Sequence, residues 1–326
     1  MDWINLADRV LSGQPVAREE ALAMLRSSDE DLPLLLAGAF RLRAHHFGRK
    51  VQLHVIENAR SGACPEDCAY CSQSAHADAD ISEYPLLSGD QLLADARRAK
   101  AAGAVRYCMV MSGRGPREQE VDRLCAAVRR IKAEMDIQVC SSLGLLTREQ
   151  AQRLAEAGVN RYNHNLESSE RFYPSICTTH TWAQRRETLR IAREAGMEIC
   201  CGGLLGMGET DEDRVNLAFE LRDVGADSIP VNLLDPRPGT ALRNLKRMSP
   251  REGLRILSMF RFVHPATELR VAGGREAVLR SMQPMSLYAA NSMFTEGYLT
   301  TPGQGAPRDL EMIEDAGFEV GSWGVA

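Results

Sequence analysis

Apolar runs of strand length alternate with amphipathic helical stretches over most of the chain. Each apolar run is short and bounded by polar or glycine-containing residues, which is the pattern of a buried strand. The predicted strands centre on residues 53–56, 106–111, 137–141, 161–165, 197–202, 228–233, 268–271 and 291–294. Helical stretches separate most of these runs, and eight βα units favour a closed TIM-type (β/α)8 barrel over an open sheet. We therefore expect an α/β fold built on such a barrel.

The stretches between the strands carry signals for the start and end of helices. Ser88 and Thr147 precede helical patterns as N-caps, and Gly158 follows the second pattern as a stop. Residues 1–46 are also helical in pattern. We expect a helical extension over residues 1–46, the barrel over 47–300 and a C-terminal region over 301–326. Within the last region, residues 301–309 predict a loop before a final helix.

Composition and charge narrow the class of protein. The 326 residues are 44% hydrophobic and 25% charged, with a net charge of -5, so no basic surface for non-specific nucleic-acid binding is indicated. The N-terminus lacks the basic start of a signal peptide, and no apolar stretch approaches the roughly 18 residues that span a bilayer. We expect a cytoplasmic protein that binds neither nucleic acid nor membrane. Its nine cysteines then indicate metal binding, catalysis or burial rather than disulfides.

Three cysteines follow the first predicted strand with the spacing C-x3-C-x2-C: Cys64, Cys68 and Cys71. In a barrel, the loop after a strand lies at the C-terminal face, where active sites are built. Three thiolates can hold three irons of a four-iron cluster and leave the fourth iron open to a substrate. Structural zinc is the alternative, with His76 or a distant cysteine as fourth ligand. Zinc sites more often use two separated pairs of ligands.

Four further groups lie on four different predicted strands: Cys108, Cys140, Cys200 and Arg270. Because alternate strand residues face the barrel interior, these side chains can converge at one point. A single buried cysteine is more often a small hydrophobic residue than a ligand. A buried arginine is harder to dismiss, because an unpaired charge inside a protein is costly.

Polar residues mark the end of the fourth strand. Asn163, Asn165 and Glu167 alternate with apolar or aromatic neighbours, which places them on one face, at the barrel mouth or simply exposed at the strand end. Glycines in residues 202–208 could let backbone approach a ligand closely.

Three cysteines remain outside these groups. Cys125 lies at an apolar helical position and is expected in the core. Cys201 should face away from its neighbour Cys200. Cys177 receives no role.

These motifs resemble the biotin synthase family of the radical S-adenosylmethionine superfamily. The segments SGACPEDC, YNHNLE, TTHTW, GGLLGMGE, NLLDPRPGT, VAGGRE and AANS occur in that family's order. The resemblance covers the chain from about Leu32 onward. It implies an enzyme that converts dethiobiotin to biotin by radical insertion of sulfur between two unactivated carbons, the last step of biotin biosynthesis. The alternatives are another barrel enzyme of the same superfamily and a non-enzymatic metal or electron-transfer protein.

The resemblance also implies cofactors and residue roles. The [4Fe-4S] cluster that cleaves S-adenosylmethionine to methionine and a 5′-deoxyadenosyl radical would be held by Cys64, Cys68 and Cys71. A [2Fe-2S] cluster that donates the sulfur would be held by Cys108, Cys140, Cys200 and Arg270. S-adenosylmethionine would contact Tyr70, Asn165, Glu167 and Arg185, and dethiobiotin would contact Asn163 and Asn232. Guanidinium has no lone pair to offer, so Arg270 is expected to be a weak ligand. A flavodoxin or ferredoxin as electron donor and a homodimer are further implied.

Overall fold

The computed structural model describes residues 1–322. Three helices come first, and their bounds are α1 (Trp3–Leu11), α2 (Arg18–Leu25) and α3 (Leu32–Phe47). The predicted C-terminal region (301–326) includes residues 323–326, which lie outside the described residues. Among the helices of residues 1–322, none is long and apolar enough to cross a bilayer.

Ten strands follow within residues 1–322, all paired in parallel. Their bounds are β1 (Lys50–Arg60), β2 (Arg106–Met111), β3 (Gln138–Ser142), β4 (Arg161–Asn163), β5 (Glu198–Cys200), β6 (Gly203–Leu205), β7 (Ser228–Leu233), β8 (Glu268–Val271), β9 (Ser292–Thr295) and β10 (Glu319–Val320). The ring runs β1-β2-β3-β4-β5-β7-β8-β9 and closes where Gln52 of β1 lies opposite Ser292 of β9. The predicted TIM-type barrel is therefore confirmed. β6 adds to β7, and the unpredicted β10 adds to the start of β1.

Helices separate the strands of the ring and surround it. They are α4 (Gly89–Ala101), α5 (Glu118–Glu134), α6 (Arg148–Ala157), α7 (Trp182–Glu194), α8 (Asp211–Val224), α9 (Pro250–Val263), α10 (Arg275–Leu279) and α11 (Ala306–Asp315). The predicted caps are present, since Ser88 and Thr147 each accept a backbone N–H three residues on and Gly158 ends α6 in the left-handed conformation.

One prediction about the last helix is wrong. The predicted loop over 301–309 ends at Gly305, because α11 already begins at Ala306. Pro307 belongs to the first turn of this helix. That turn does not need the missing N–H, and the fixed φ of proline favours a helix start there. A proline in a glycine-rich segment therefore suggested a longer loop than the structure has.

The N-terminal helices pack against α8 and α9 on the outside of the ring. Gly38 lets α3 approach α9 closely, because a Cβ at this position would lie 2.8 Å from the ring of Phe262. Arg43 is fully buried. Its guanidinium donates to the carbonyls of Lys50, at 2.6 Å, and Ala290, at 3.4 Å. α3 is thereby bound to the chain entering β1 and β9, the two strands that close the ring.

Candidate active site

The three clustered cysteines lie in the loop that leaves β1 at its carboxyl end. Cys68 is buried, whereas Cys64 and Cys71 are half-buried. The backbone N–H of Cys71 donates to the carbonyl of Cys68 at 3.1 Å, and Ala69 N–H donates to the carbonyl of Ile176 at 2.9 Å. The loop is therefore folded on itself and tied to the segment that precedes α7.

The donor set of this loop fits an iron–sulfur cluster with three protein ligands. Burial raises the pKa of the Cys71 thiol to about 11, so the metal-free thiol keeps its proton and must lose it when iron binds. The charge of Cys64 also raises that pKa. His76, the alternative zinc ligand, is exposed. Three soft sulfur donors beside an open cavity suit a cluster that retains one iron for a small ligand.

A cavity of about 480 Å³ separates this loop from the barrel mouth, and we call it the outer cavity. Its walls include Tyr70, Cys71, Asn165 and Glu167. Three of these four are among the predicted contacts of S-adenosylmethionine. The fourth predicted contact, Arg185, lines the adjoining cavity inside the barrel.

Arg185 is held in place by two segments at the mouth, residues 165–167 and the turn at Tyr173. Its guanidinium donates to the carbonyl of Asn165 at 2.8 Å and to the hydroxyl of Tyr173 at 2.6 Å, and it lies 3.7 Å from the carboxylate of Glu167. Burial raises the pKa of Glu167, although Arg185 opposes that rise. Glu167 also has a φ of +67°, an uncommon conformation for a residue with a side chain. The mouth thus presents a fixed cation and a carboxylate to any bound ligand.

The barrel interior contains a second cavity of about 320 Å³, which we call the inner cavity. It brings together the four predicted strand groups, Cys108, Cys140, Cys200 and Arg270. Cys108 and Cys140 lie directly opposite each other on β2 and β3. The sulfur of Cys200 accepts from Arg270 Nη1 at 3.7 Å and from Asn163 Nδ2 at 3.2 Å. All four side chains are 5% exposed or less.

The positive charge of Arg270 is balanced by a buried carboxylate. Arg270 forms an ion pair with Glu268 and donates to the Ser228 hydroxyl at 2.9 Å. Burial disfavours the Glu268 carboxylate, but Arg270 and Arg161 hold its pKa well below the usual range. Burial lowers the pKa of His54, which contacts both Glu268 and Arg270, to about 3. This histidine is therefore neutral at physiological pH.

The inner cavity also fits a metal–sulfur group. Within residues 1–322, Arg270 Nε is buried and has no hydrogen-bond partner, an unusual state for a polar atom inside a protein. Three thiols share the cavity with this atom. Cys201 is buried but does not line the cavity, as the alternation predicted.

The two cavities share a wall, only part of which the sequence identified. The predicted residues Asn165, Glu167 and Asn232 line both cavities, and so do Gly273 and the segment 298–301, to which the sequence analysis gave no role. Tyr298 anchors that segment, since its hydroxyl donates to Glu276 at 2.9 Å. One sequence feature could have identified the segment 298–301: it is a run of polar and aromatic residues just after the last ring strand. The sequence alone does not show that these side chains lie at the barrel mouth, because their position depends on closure of the ring.

The glycine-rich segment has a packing reason that the sequence analysis did not predict. A Cβ at Gly202 would lie 1.9 Å from the carbonyl of Pro230, and one at Gly203 would lie 2.7 Å from the carbonyl of Glu167. Neither glycine lines the two cavities. These residues therefore let β6 pass close to its neighbours.

Two family models match the chain. The Radical SAM superfamily model covers residues 59–221, and the Biotin and Thiamin Synthesis associated domain covers residues 230–319. The first takes in the cysteine loop and the strands that bear Cys108, Cys140 and Cys200. The second takes in Arg270 and the segment 298–301.

Curated relatives match almost the whole chain. A biotin synthase of Salinibacter ruber is 52% identical over 317 residues, which are 97% of this chain and 88% of the relative. A biotin synthase of Bacillus subtilis is 48% identical over 320 residues, which are 98% of this chain and 96% of the relative.

Solved structures with little sequence identity share the fold. Methylornithine synthase superposes with a TM-score of 0.86 at 20% identity and covers 97% of both chains. The FeFe-hydrogenase maturase from Carboxydothermus hydrogenoformans superposes with a TM-score of 0.81 at 19% identity, over 96% of this chain and 78% of the other. At such identities the likeness shows the fold alone.

Proposed function

The chain belongs to the biotin synthase family of radical S-adenosylmethionine enzymes, and on that premise we propose how its two cavities divide the conversion of dethiobiotin to biotin. One observation carries the proposal. A three-cysteine loop at the barrel mouth and a separate set of three cysteines with an arginine inside the barrel open on adjoining cavities with a common wall. One set suits radical formation, and the other suits storage of the sulfur.

The outer cavity takes S-adenosylmethionine in this proposal. Cys64, Cys68 and Cys71 would hold a [4Fe-4S] cluster, which when bound supplies the electron for reductive cleavage of the sulfonium. Arg185 fixes the ligand carboxylate by charge, because its guanidinium is buried and pre-oriented. Arg185 reaches the ligand from the adjoining inner cavity. Three further residues, named for the adenosine part by resemblance, line the outer cavity itself: Tyr70, Asn165 and Glu167.

The inner cavity takes dethiobiotin next to the sulfur donor. Cys108, Cys140, Cys200 and Arg270 would hold a [2Fe-2S] cluster, which when bound supplies the sulfur atom. Asn232 is held by two backbone bonds, accepting from Gly273 N–H at 2.9 Å and donating to the carbonyl of Gly203 at 3.2 Å. A primary amide has two donor hydrogens and two acceptor positions.

The hydrogen-bonding positions of Asn232 that remain unused match those of a ureido group. One donor and one acceptor position are left, which suits a ring that offers both N–H and C=O. Asn163 lies beside Cys200 and would assist from the other side. The substrate would therefore sit between the shared wall and the cysteines of the barrel.

Several broader features of the proposal rest on family resemblance. An electron donor such as a flavodoxin or ferredoxin would deliver electrons to the cysteine loop. A homodimer in the cytoplasm is proposed on the same ground, and the net charge of -5 supports the absence of a nucleic-acid or membrane partner. The division into an extension (1–46), a barrel (47–300) and a C-terminal region (301–326) likewise remains our prediction.

Anaerobic reconstitution with iron and sulfide tests the function directly. The loaded enzyme, given S-adenosylmethionine, dethiobiotin and a reductant, should form biotin together with 5′-deoxyadenosine. Cys68→Ala should lose both products, because a loop with two thiolates cannot complete the ligand set of the cluster. Cys125→Ala, a buried thiol on α5 outside both cavities, is the matched control and should retain them. 5′-Deoxyadenosine without biotin would favour another enzyme of the superfamily.

A further inference from the structure

His180, two residues before α7, has no part in the proposed function. Its side chain is buried, with an exposed fraction of 6%. One of its ring nitrogens faces Glu66, which lies between the first two cysteines of the C-x3-C-x2-C loop. The other ring nitrogen faces Arg185. His180 therefore joins the loop that would hold the [4Fe-4S] cluster to the guanidinium that would bind the ligand carboxylate.

We propose that His180 is a positioning residue for S-adenosylmethionine, because it holds Arg185 at a fixed place relative to the cysteine loop. The inference rests on the proposed function, which assigns the ligand carboxylate to Arg185. The ligand would then be held both by the cluster and by Arg185. Two binding groups that are already fixed relative to each other lose less freedom when the ligand binds, so affinity is higher.

The hydrogen bonds define which nitrogen of the ring carries the hydrogen. Arg185 Nε lies 3.1 Å from His180 Nε2, and because arginine only donates, Nε2 must accept through its lone pair. The hydrogen is then on Nδ1, which donates to the carboxylate of Glu66. A carboxylate bonded to one ring nitrogen sets the tautomer and the orientation of the ring. The neutral ring thus forms a chain of hydrogen bonds from the loop carboxylate to the guanidinium.

The loop end of this chain is itself fixed. Glu66 is 5% exposed and accepts from the hydroxyl of Thr179 at 2.7 Å. The next carboxylate of the loop, Asp67, accepts from the backbone N–H of Thr178 at 2.9 Å and of Thr179 at 3.2 Å. Two consecutive carboxylates of the loop therefore bind the segment that carries His180. The position of the ring follows the position of the loop.

Arg185 uses part of its guanidinium for these contacts and leaves the rest for a ligand. Its Nε hydrogen is shared between His180 and the hydroxyl of Tyr173 at 2.6 Å, and Nη1 donates to the carbonyl of Asn165 at 2.8 Å. Within residues 1–322, Nη2 has no hydrogen-bond partner. Since Arg185 lines the inner cavity, Nη2 can donate to a ligand carboxylate there. His180 orients the guanidinium without occupying this nitrogen.

The test measures the affinity of the reconstituted holoenzyme for S-adenosylmethionine. Its cluster is kept oxidised, so the ligand is not cleaved, and Kd is obtained by equilibrium dialysis with radiolabelled ligand. His180→Leu removes both hydrogen bonds and should raise Kd about tenfold, the effect of losing one hydrogen bond to a charged group. Iron content and circular dichroism show whether the cluster assembles and the variant folds. An unchanged Kd would overturn the proposal.

Two conservative variants separate the two hydrogen bonds of the ring. His180→Gln places an amide near the position of Nε2, where its oxygen can accept from Arg185, and should recover most of the affinity. His180→Asn places an amide near the position of Nδ1, where it can only donate to Glu66, and should bind as weakly as His180→Leu. A glutamine variant that binds no better than His180→Leu would overturn the proposal, whatever the asparagine variant does.

His264→Gln is the matched control. His264 is also buried, contacts the carbonyl of Ala218 at 2.8 Å and lies outside both cavities. Its replacement should lower Tm and leave Kd unchanged. A rise in Kd equal to that of His180→Leu would show that loss of stability alone weakens binding, which would refute a positioning role.

A double-mutant cycle tests whether His180 acts through Arg185. Arg185→Gln alone should raise Kd more than His180→Leu does. Adding His180→Leu to Arg185→Gln should change Kd by less than about twofold, because the group that His180 holds is already lost. A further tenfold rise would show an independent role and contradict the proposal.

Failure of the proposed function would be visible elsewhere in the same experiment. Wild-type holoenzyme would then not bind S-adenosylmethionine, or Arg185→Gln would bind it as tightly as wild type. Normal binding by wild type with weak binding by Arg185→Gln leaves the proposed function standing, and the His180 variants then decide this inference alone.

Discussion

Glu268 supplies the negative charge that balances two buried guanidinium groups next to the inner cavity, those of Arg270 and Arg161. It is 5% exposed, pairs with Arg270 and accepts from Arg161 at 2.6 Å. His54 beside it is neutral, so this carboxylate faces two buried guanidinium groups. Arg270 can therefore lie next to three thiols at a tolerable electrostatic cost only while Glu268 is ionised.

Glu268→Gln should destabilise the apoprotein at pH 7, because it leaves Arg270 and Arg161 without their shared counter-charge. Removing one partner of a buried pair costs about 3 kcal/mol or more, which corresponds to a fall in Tm of several degrees. Thermal unfolding followed by circular dichroism measures it. Glu187→Gln, which breaks an exposed pair with Arg190, should change Tm little.

The same variant should show a defined pH dependence. The pKa of Glu268 is lower in the folded than in the unfolded state. Its contribution is therefore present above the unfolded pKa, about 4.3, and is lost as pH falls toward the folded value. The Tm difference between wild type and Glu268→Gln should narrow below about pH 4. His54 titrates in both proteins, so a gap independent of pH would contradict the assignment to Glu268.

Cys140→Ala should separate the two sites. The residue lies on β3 inside the barrel, whereas the C-x3-C-x2-C loop leaves β1 at the mouth. We expect the loop to assemble its cluster and some S-adenosylmethionine cleavage to continue, with biotin formation lost. Iron–sulfur absorption after reconstitution, 5′-deoxyadenosine and biotin are the three readouts, with Cys125→Ala as control. Full biotin yield would show that Cys140 does not hold the sulfur donor.

Sulfide labelling tests the origin of the sulfur independently of any variant. The enzyme is reconstituted with isotopically labelled sulfide in the inner cavity, and the mass of the biotin formed in one turnover is measured by mass spectrometry. The label should appear in the product. Unlabelled biotin from protein that retains the label would refute the donor role of Cys108, Cys140 and Cys200.

At the scale of elements, Gly274 joins β8 to α10 beside the shared wall. It has a φ of +77°, and a Cβ there would lie 1.7 Å from the carbonyl of Leu233 at the end of β7. The neighbouring residue of β7, Asn232, bonds to the N–H of Gly273. The turn therefore positions the amide proposed to bind dethiobiotin.

Gly274→Ala should damage both stability and substrate binding. The left-handed backbone alone costs about 1–2 kcal/mol, and the clash must also push β7 away from α10. Gly103→Ala is the matched control, because its φ is +80° and nothing lies within 4 Å of the added Cβ. Melting curves and the KM for dethiobiotin separate the two effects. We expect a modest fall in Tm for Gly103→Ala and a larger fall with raised KM for Gly274→Ala.

At the scale of the whole molecule, closure of the ring depends on support from outside it. β1 and β9 are the first and last strands of the ring, and the long-range pairing between them completes the interior. Arg43 of α3 donates to the carbonyl of Lys50, the first residue of β1, and to the carbonyl of Ala290, just before β9. α3 thus stabilises the seam at the amino ends of the two strands that form it.

Arg43→Met should lower the apoprotein Tm by several degrees. The buried carbonyl of Ala290 loses its donor, which costs about 1–3 kcal/mol, and the partly buried carbonyl of Lys50 loses its donor as well. Arg41→Met is the control on the same helix. Arg41 is exposed and pairs only with exposed Asp8, an interaction worth about 0–1 kcal/mol. Scanning calorimetry of both variants checks the difference. Equal Tm values would show that α3 does not stabilise the seam.

The sequence by itself determined what depends on neighbours along the chain. Strand and helix periods, caps such as Ser88 and Thr147, and the spacing of Cys64, Cys68 and Cys71 are local features, so the barrel and its cysteine loop could be predicted. The alternation of side chains along a strand also indicated that Cys108, Cys140, Cys200 and Arg270 could meet inside. It did not supply their contacts.

Only the tertiary structure decided which distant residues touch. Ring closure places the segment 298–301 on the wall of both cavities, although it lies far in sequence from lining residues such as Cys71, Cys108 and Asn165. Packing of the segment before α7 on the cysteine loop puts Cys177 and His180 beside Cys68, more than a hundred residues earlier. These contacts arise because long-range strand pairing and helix packing fold the chain back on itself. No local pattern of residues encodes these long-range contacts.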